Sequence, residues 1–188
     1  MPFAVLDDVV VTYGSRRALD GLTTSIPGAG VTSLLGRNGA GKSTTVALLS
    51  GLRGPSSGRV EVLGGTPGRL DARRQIGVML QEGGLPTGAH AAELVRHAAK
   101  LRQRPDTADP LIDLLDLGAL GKTTVRRMSG GERRRVSLAC ALVGEPRAVI
   151  LDEPTSGLDP QGRAVVWEIV ASLRSQGVAV VLSTHLLD

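Results

Sequence analysis

Gly36-Arg37-Asn38-Gly39-Ala40-Gly41-Lys42-Ser43-Thr44 is the stretch whose reading decides the fold. It follows a short apolar run, Val31 to Leu35, that reads as a buried strand. It precedes Thr45 to Leu52, which reads as a helix. Strand, glycine-rich turn, helix is the context in which G-x-x-x-x-G-K-[ST] works as a phosphate loop. Gly36, Gly39 and Gly41 allow positive φ and close backbone approach, so successive N–H groups can surround phosphate oxygens. The N-terminus of the following helix adds its positive dipole end. In this reading Lys42 reaches the β- and γ-phosphates and Ser43 places a hydroxyl on Mg²⁺.

The 188 residues are enough for one domain with a real core, and a chain 41% apolar and 21% charged is globular in character. No apolar run approaches the roughly 18 residues of a membrane helix. Met1-Pro2-Phe3-Ala4 does not read as a signal peptide. The lone Cys140 precludes an internal disulfide and suits a reducing cytoplasm. A net charge of +4 is compatible with anionic ligands or a lipid surface and identifies neither. Aromatics are limited to Phe3, Tyr13 and Trp167, so packing must rest on Val, Leu, Ile and Ala.

Upstream of the loop, Ala4 to Tyr13 and Gly21 to Ile26 read as strands, and Arg59 to Leu63 follows as another. Tyr13, beside Gly14, reads equally as a ring for stacking on a nucleotide base and as an ordinary strand aromatic. Ile76 to Leu80 is a buried-strand run ending at Gln81. From about 87 to 144 the pattern turns helical. Leu94, His97, Ala98 and Leu101 share one expected face, and Leu111, Leu114, Leu115 and Leu117 another. His90 and His97 lack metal spacing.

Ser129 and Glu132 form an S-x-x-E capping box expected to start a helix from Gly131 to Val143. A glycine-fronted helix start with a hydroxyl is also an anion site. Lys122, Arg126, Arg127, Arg133, Arg134 and Arg135 crowd this region. Without stacking aromatics they point to a solvated face or partner surface rather than to nucleic acid.

Ala148 to Leu151 is a strand that ends in Asp152-Glu153-Pro154. Adjacent carboxylates downstream of a phosphate loop fit Mg²⁺ coordination by Asp152 and water activation by Glu153. Asp159 before Pro160 reads as an N-cap, and the helix beyond it runs to Gln176 with Val165, Ile169 and Leu173 inward. Val178 to Leu182 is the last strand and delivers Ser183-Thr184-His185 to its carboxyl end, where open α/β sheets bind ligands.

In this order the pieces resemble the ATP-binding subunit of ABC transporters. Gly36 to Thr44 matches the Walker A motif, Gln81 the Q-loop, and Ser129-Gly130-Gly131 the signature motif, with Glu132 where Gln is commonest. Val149 to Glu153 matches Walker B, Ser156 to Asp159 the D-loop, and His185 the switch histidine. The run from Arg127 to Asp159 most resembles bacterial antibiotic and multidrug exporter subunits. The resemblance implies an α/β fold: a P-loop NTPase core with an N-terminal β-rich subdomain and a helical insertion. Residues 1–86 and 145–188 would form the core and 87–144 the helical subdomain. The C-terminus is expected to be shorter than the family norm.

The resemblance further implies Mg²⁺-dependent ATP hydrolysis. Glu153, His185 and Gln81 would be catalytic, and Ser43, Gln81 and Asp152 would hold the metal. Tyr13, Gly36, Arg37, Asn38, Gly39, Ala40, Gly41, Lys42, Ser43 and Thr44 would bind nucleotide. Ser129, Gly130, Gly131, Glu132 and Asp159 would bind it from a second chain, in a head-to-tail dimer. A separate transmembrane permease, a place on the inner face of the cell membrane and no nucleic-acid partner complete the expectation. The rival reading is a soluble ABC-type ATPase driving other machinery, such as iron–sulfur assembly.

Overall fold

The computed structural model describes residues 1–81 and 84–184. The chain opens with β1 (Ala4–Tyr13) and β2 (Arg16–Ile26), an antiparallel hairpin closed by Gly14-Ser15, with Tyr13 opposite Arg16. β2 starts five residues before the expected Gly21. Of its residues only Leu19 and Ile26 are buried, so its first half carries little apolar signal. β3 (Gly30–Leu35) runs into the glycine loop, and α1 (Lys42–Leu49) follows directly. α1 is shifted towards the N-terminus from the expected Thr45–Leu52. Gly41, left-handed at φ +90, caps it, and a turn at Ser50-Gly51 ends it. β4 (Ser57–Val62) pairs with β1, giving a three-stranded antiparallel sheet in the order β2-β1-β4.

α2 (Leu70–Gln75) was not legible in advance: of its six residues only Ala72 is buried. β5 (Ile76–Met79) leads through Gln81 to the helical stretch, α3 (Ala91–Leu101), α4 (Ala108–Leu114) and α5 (Gly130–Leu142). β6 (Ala148–Asp152), α6 (Pro160–Ser175) and β7 (Ala179–Thr184) complete the described chain. The second sheet is parallel, in the order β3-β7-β6-β5.

Near-continuous apolar strands are what a parallel sheet covered on both faces requires. Alternate residues of β6 and β7 serve two cores. Val149, Leu151, Val180 and Leu182 pack with α3 to α6. Ala148, Ile150, Ala179 and Val181 pack with α1 and the antiparallel sheet. Leu48 of α1 is fully buried there, and trimming it to Ala would cost about 2–5 kcal/mol. On the other face α5 lies so close to β5 that a Cβ on Gly77 would meet the Ala141 carbonyl at 2.0 Å.

Two expected faces are corrected. α3 buries Ala91, Val95 and Ala99 against α5; of the expected face, Leu94 and Ala98 are half-buried against the same core, while His97 and Leu101 are exposed. Close helix approach selects the small side chains over the larger ones beside them. α6 buries Val166, Ile169 and Val170, leaving Val165 and Leu173 half-buried, because it lies across β3 and β7. Around α4, Ile112, Leu115 and Leu117 are buried and Leu114 is exposed.

Candidate active site

The parallel register sets the site. Leu34 of β3, Ser183 of β7 and Asp152 of β6 lie in one row across the sheet. Neighbouring strands stand about 4.8 Å apart, so Asp152 sits about two strand spacings from the start of the phosphate loop. All of this is at the carboxyl edge, where an open α/β sheet takes its ligand.

Gly36, Gly39 and Gly41 all have positive φ, at +156, +86 and +90, as the loop reading requires. Gly41 has no alternative: a Cβ there would meet Leu19 Cδ2 at 2.6 Å and the Ala18 carbonyl at 2.9 Å. Lys42 bends over the loop and donates from Nζ to the carbonyls of Gly36 (2.6 Å) and Arg37 (3.2 Å). Its ammonium is thereby held above the loop rather than stretched into solvent. Arg37, Asn38, Ala40 and Ser43 are exposed, while Thr44 is buried beneath the helix start.

Asp152 is buried, and its Oδ1 accepts a hydrogen bond from the Ser183 hydroxyl, which is also buried. A buried carboxylate and the Ser43 hydroxyl are hard oxygen donors of the kind Mg²⁺ takes. Among the described residues no group of three His, Cys, Asp or Glu could form an all-protein cage. Two protein oxygens, with phosphate and water completing the shell, suit Mg²⁺, so the residues fit the ion. Gln81 is exposed just beyond β5 and lines a cavity of about 520 Å³ with Gly130, Arg133 and Arg134.

Glu153 is buried beside Asp152. Its backbone is left-handed, at φ +51, and its N–H donates to the Ser183 carbonyl at 3.0 Å. Its own carbonyl accepts from Ser156 N–H at 3.2 Å and from the Arg134 guanidinium. The switch position assigned to His185 lies outside the described residues.

Ser129 and Glu132 form the expected capping box. Ser129 Oγ accepts from Glu132 N–H at 3.2 Å, and Glu132 Oε2 accepts from Ser129 N–H at 2.6 Å. The Ser129 N–H, then its hydroxyl, hold the Glu132 carboxyl below its ordinary range. Asp159 caps α6, with Oδ1 accepting from Gly162 N–H at 2.7 Å and Pro160 at the first helical position. Ser129 to Glu132 and Asp159 share a groove of about 680 Å³, and no described residue of the phosphate loop lines it.

Of the basic crowd, Lys122, Arg126 and Arg127 are exposed, as a solvated face requires, and the other three make local contacts. Arg133 donates to the Met128 carbonyl at 2.5 Å, Arg134 to Glu153, and Arg135 to the Leu115 carbonyl at 3.0 Å. Burial pushes the Cys140 thiol up to about 11. Tyr13 remains 47% exposed, with the Arg53 guanidinium 4.0 Å over its ring. Arg53 also donates to the Thr12 carbonyl at 2.7 Å. A Cβ on Gly39 would lie 3.0 Å from Arg16 Nη2, so a second arginine stands beside the loop. Sequence reasoning missed Arg16 and Arg53, and it missed the contacts made by Arg134 and Ser183. Only the Ser183 position carried a signal, in its place at the end of the last strand.

Residues 19–156 match the ABC transporter family. A daunorubicin resistance ATP-binding protein of Streptomyces coeruleorubidus is 42% identical over 97% of this chain and 60% of its own length. A Nod factor export ATP-binding protein I of Sinorhizobium fredii is 38% identical over 97% of this chain and 55% of its own. The chain therefore spans between 55% and 60% of the length of these two relatives. The structure of an ATP-binding subunit of an ABC transporter superposes with a TM-score of 0.86 at 27% identity, covering 98% of this chain and 80% of the other. A dimeric bacterial ABC transporter cassette gives 0.87 at 26% identity, covering 98% and 88%.

Proposed function

The chain belongs to the ABC transporter family, and from that premise we propose that it binds and hydrolyses ATP to drive export through a separate membrane subunit. The observation that carries the chemistry is the row Leu34–Ser183–Asp152, which sets the acidic pair Asp152-Glu153 alongside the phosphate loop. The loop amides and Lys42 grip the β- and γ-phosphates. Mg²⁺, when bound, neutralises charge on those phosphates, and Ser43, Asp152 and Gln81 are the residues that would hold it. Glu153 orients a water and takes its proton as the water oxygen bonds to the γ-phosphorus. The bond from that phosphorus to the bridging oxygen breaks, and ADP leaves with the electron pair. Positioning and charge stabilisation do most of this work.

A head-to-tail pair completes the site. The Ser129–Gly131 helix end and Asp159 open on a groove separate from their own chain's loop, which supports donation to a partner's γ-phosphate. A dimeric cassette among the structural neighbours supports the same reading. Among the described residues no helix is long and apolar enough to cross a membrane. Export is supported by the relatives, a daunorubicin resistance ATP-binding protein and a Nod factor export ATP-binding protein, and a position on the inner membrane face is part of the same proposal.

The test is Glu153→Gln, which keeps shape and hydrogen bonding and removes the base. Phosphate release should fall by about 10²–10⁴-fold while ATP binding persists. Near-wild-type turnover would remove Glu153 from catalysis.

A further inference from the structure

Six non-glycine residues of the described chain have a left-handed backbone: Asp8, Leu63, Gln103, Asp116, Glu145 and Glu153. Glu153 alone among them is buried. A non-glycine residue in this region is disfavoured and persists only where its surroundings over-determine it. Two main-chain hydrogen bonds do part of that work, to Ser183 and from Ser156. The third contact comes from elsewhere in the fold: Arg134, in the second turn of α5, donates from Nη1 to the Glu153 carbonyl. Its guanidinium is half-buried and lines the same cavity as Gln81 and Gly130.

We propose that Arg134 is a positioning residue for hydrolysis, holding the Glu153 backbone in the left-handed turn that aims the carboxylate at the attacking water. This rests on the reading of Glu153 as the base. The neighbouring arginines do not share the task, since Arg133 and Arg135 are committed to the Met128 and Leu115 carbonyls. Arg134 stands in the second turn of α5, five residues beyond the Ser129 cap, and so ties the start of that helix to the Glu153 turn.

The test is a double-mutant cycle on Arg134→Ala and Glu153→Gln, reading kcat and KM for ATP hydrolysis, ATP affinity by fluorescence titration, and thermal melting. Arg134→Ala should lower kcat about 10–100-fold, the range a small misplacement of a catalytic group produces, with ATP affinity within about twofold. Adding Arg134→Ala to Glu153→Gln should cost little more, because one acts through the other. Arg134→Lys, which restores a cationic donor, should recover most of kcat, and Arg134→Gln should not. If Arg134→Ala does not fold, the Lys and Gln pair decides: equal kcat in the two overturns the proposal. So does a fully additive loss in the double variant, or a fall in melting temperature with kcat unchanged. Wild-type turnover by Glu153→Gln would instead overturn the reading of Glu153 as the base, and with it this proposal. A normal Arg134→Ala beside an inactive Glu153→Gln would overturn this proposal alone.

Discussion

α1 and α5 both begin on glycine-rich turns, and they finish their N-termini in opposite ways. The first amides of any helix have no acceptor within it and must be satisfied from outside. At α1 the cap is Gly41, which has no side chain to offer, the first turn carries no acidic residue, and its first residue is Lys42. At α5 the cap is Ser129, and the reciprocal box with Glu132 satisfies two amides from within the chain. A carboxylate also stands at the positive end of the α5 dipole, where it is favourable for the helix and unfavourable for an incoming anion. α1 is therefore a terminus that an anion completes. α5 is complete in itself and keeps only the Gly130 and Gly131 amides outside the box. A P-loop and a signature turn look alike as glycine clusters, and their caps tell them apart.

The largest expected effect lies at α1. Lys42→Ala removes the cation held over the loop carbonyls and should weaken ATP binding by about 3 kcal/mol or more, roughly a hundredfold, since hydrogen bonds to charged groups are worth about 1.5–3 kcal/mol each. Ser129→Ala at α5 should leave the affinity of a single chain within about twofold, while lowering stability by about 1 kcal/mol through loss of the cap. A fluorescence titration that finds both variants equally impaired would break the contrast between the termini.

Tyr13 sharpens the α1 side. It lies opposite Arg16, the arginine that stands beside Gly39 of the loop, so ring and loop occupy one end of the hairpin. Tyr13→Ala should weaken ATP binding by about 1–3 kcal/mol if a base stacks on the ring, and Phe or Trp should be tolerated. Arg53 already lies over the ring, and it would stiffen such a platform. Equal affinities for the Ala and Phe variants in the same titration would remove Tyr13 from the site.

Local chemistry made most of this legible. The phosphate loop, the S-x-x-E box and the Asp-Pro cap are short-range devices, and each is found where its residues stand, down to the Ser129, Glu132 and Asp159 hydrogen bonds. The β1 limits, Ala4 to Tyr13, follow from its run of valines. Long-range packing was not legible. The buried stripe of α3 depends on how near α5 comes, and the row that joins Leu34, Ser183 and Asp152 depends on strand order. Arg134 illustrates the limit best: six basic residues in one region read as a charged face, and only the fold shows that one of them reaches Glu153.

The smallest effect is the most pointed test of the α5 side. Glu132→Gln keeps the box, since Gln at the third helical position reaches back to the cap amide as Glu does. It removes only the charge. The loss at the helix dipole and the gain in tolerance for a phosphate are each worth about 0.3–1 kcal/mol at low salt. Stability should therefore drop slightly at neutral pH, while ATP-dependent association of two chains tightens by a similar amount. The pH dependence has a definite sign. The Ser129 amide holds the Glu132 carboxyl below its unfolded range, so its contribution is present above the unfolded pKa and is lost as pH falls through the folded one. Thermal melts of wild type and Glu132→Gln should thus converge as the medium is acidified. Sedimentation with ATP and Mg²⁺ reads the association, and added salt should shrink the difference. If Glu132→Gln associates more weakly than wild type at low salt, the carboxylate helps rather than hinders the second chain's phosphate, and the α5 terminus is not self-complete in the sense that sets it apart from α1.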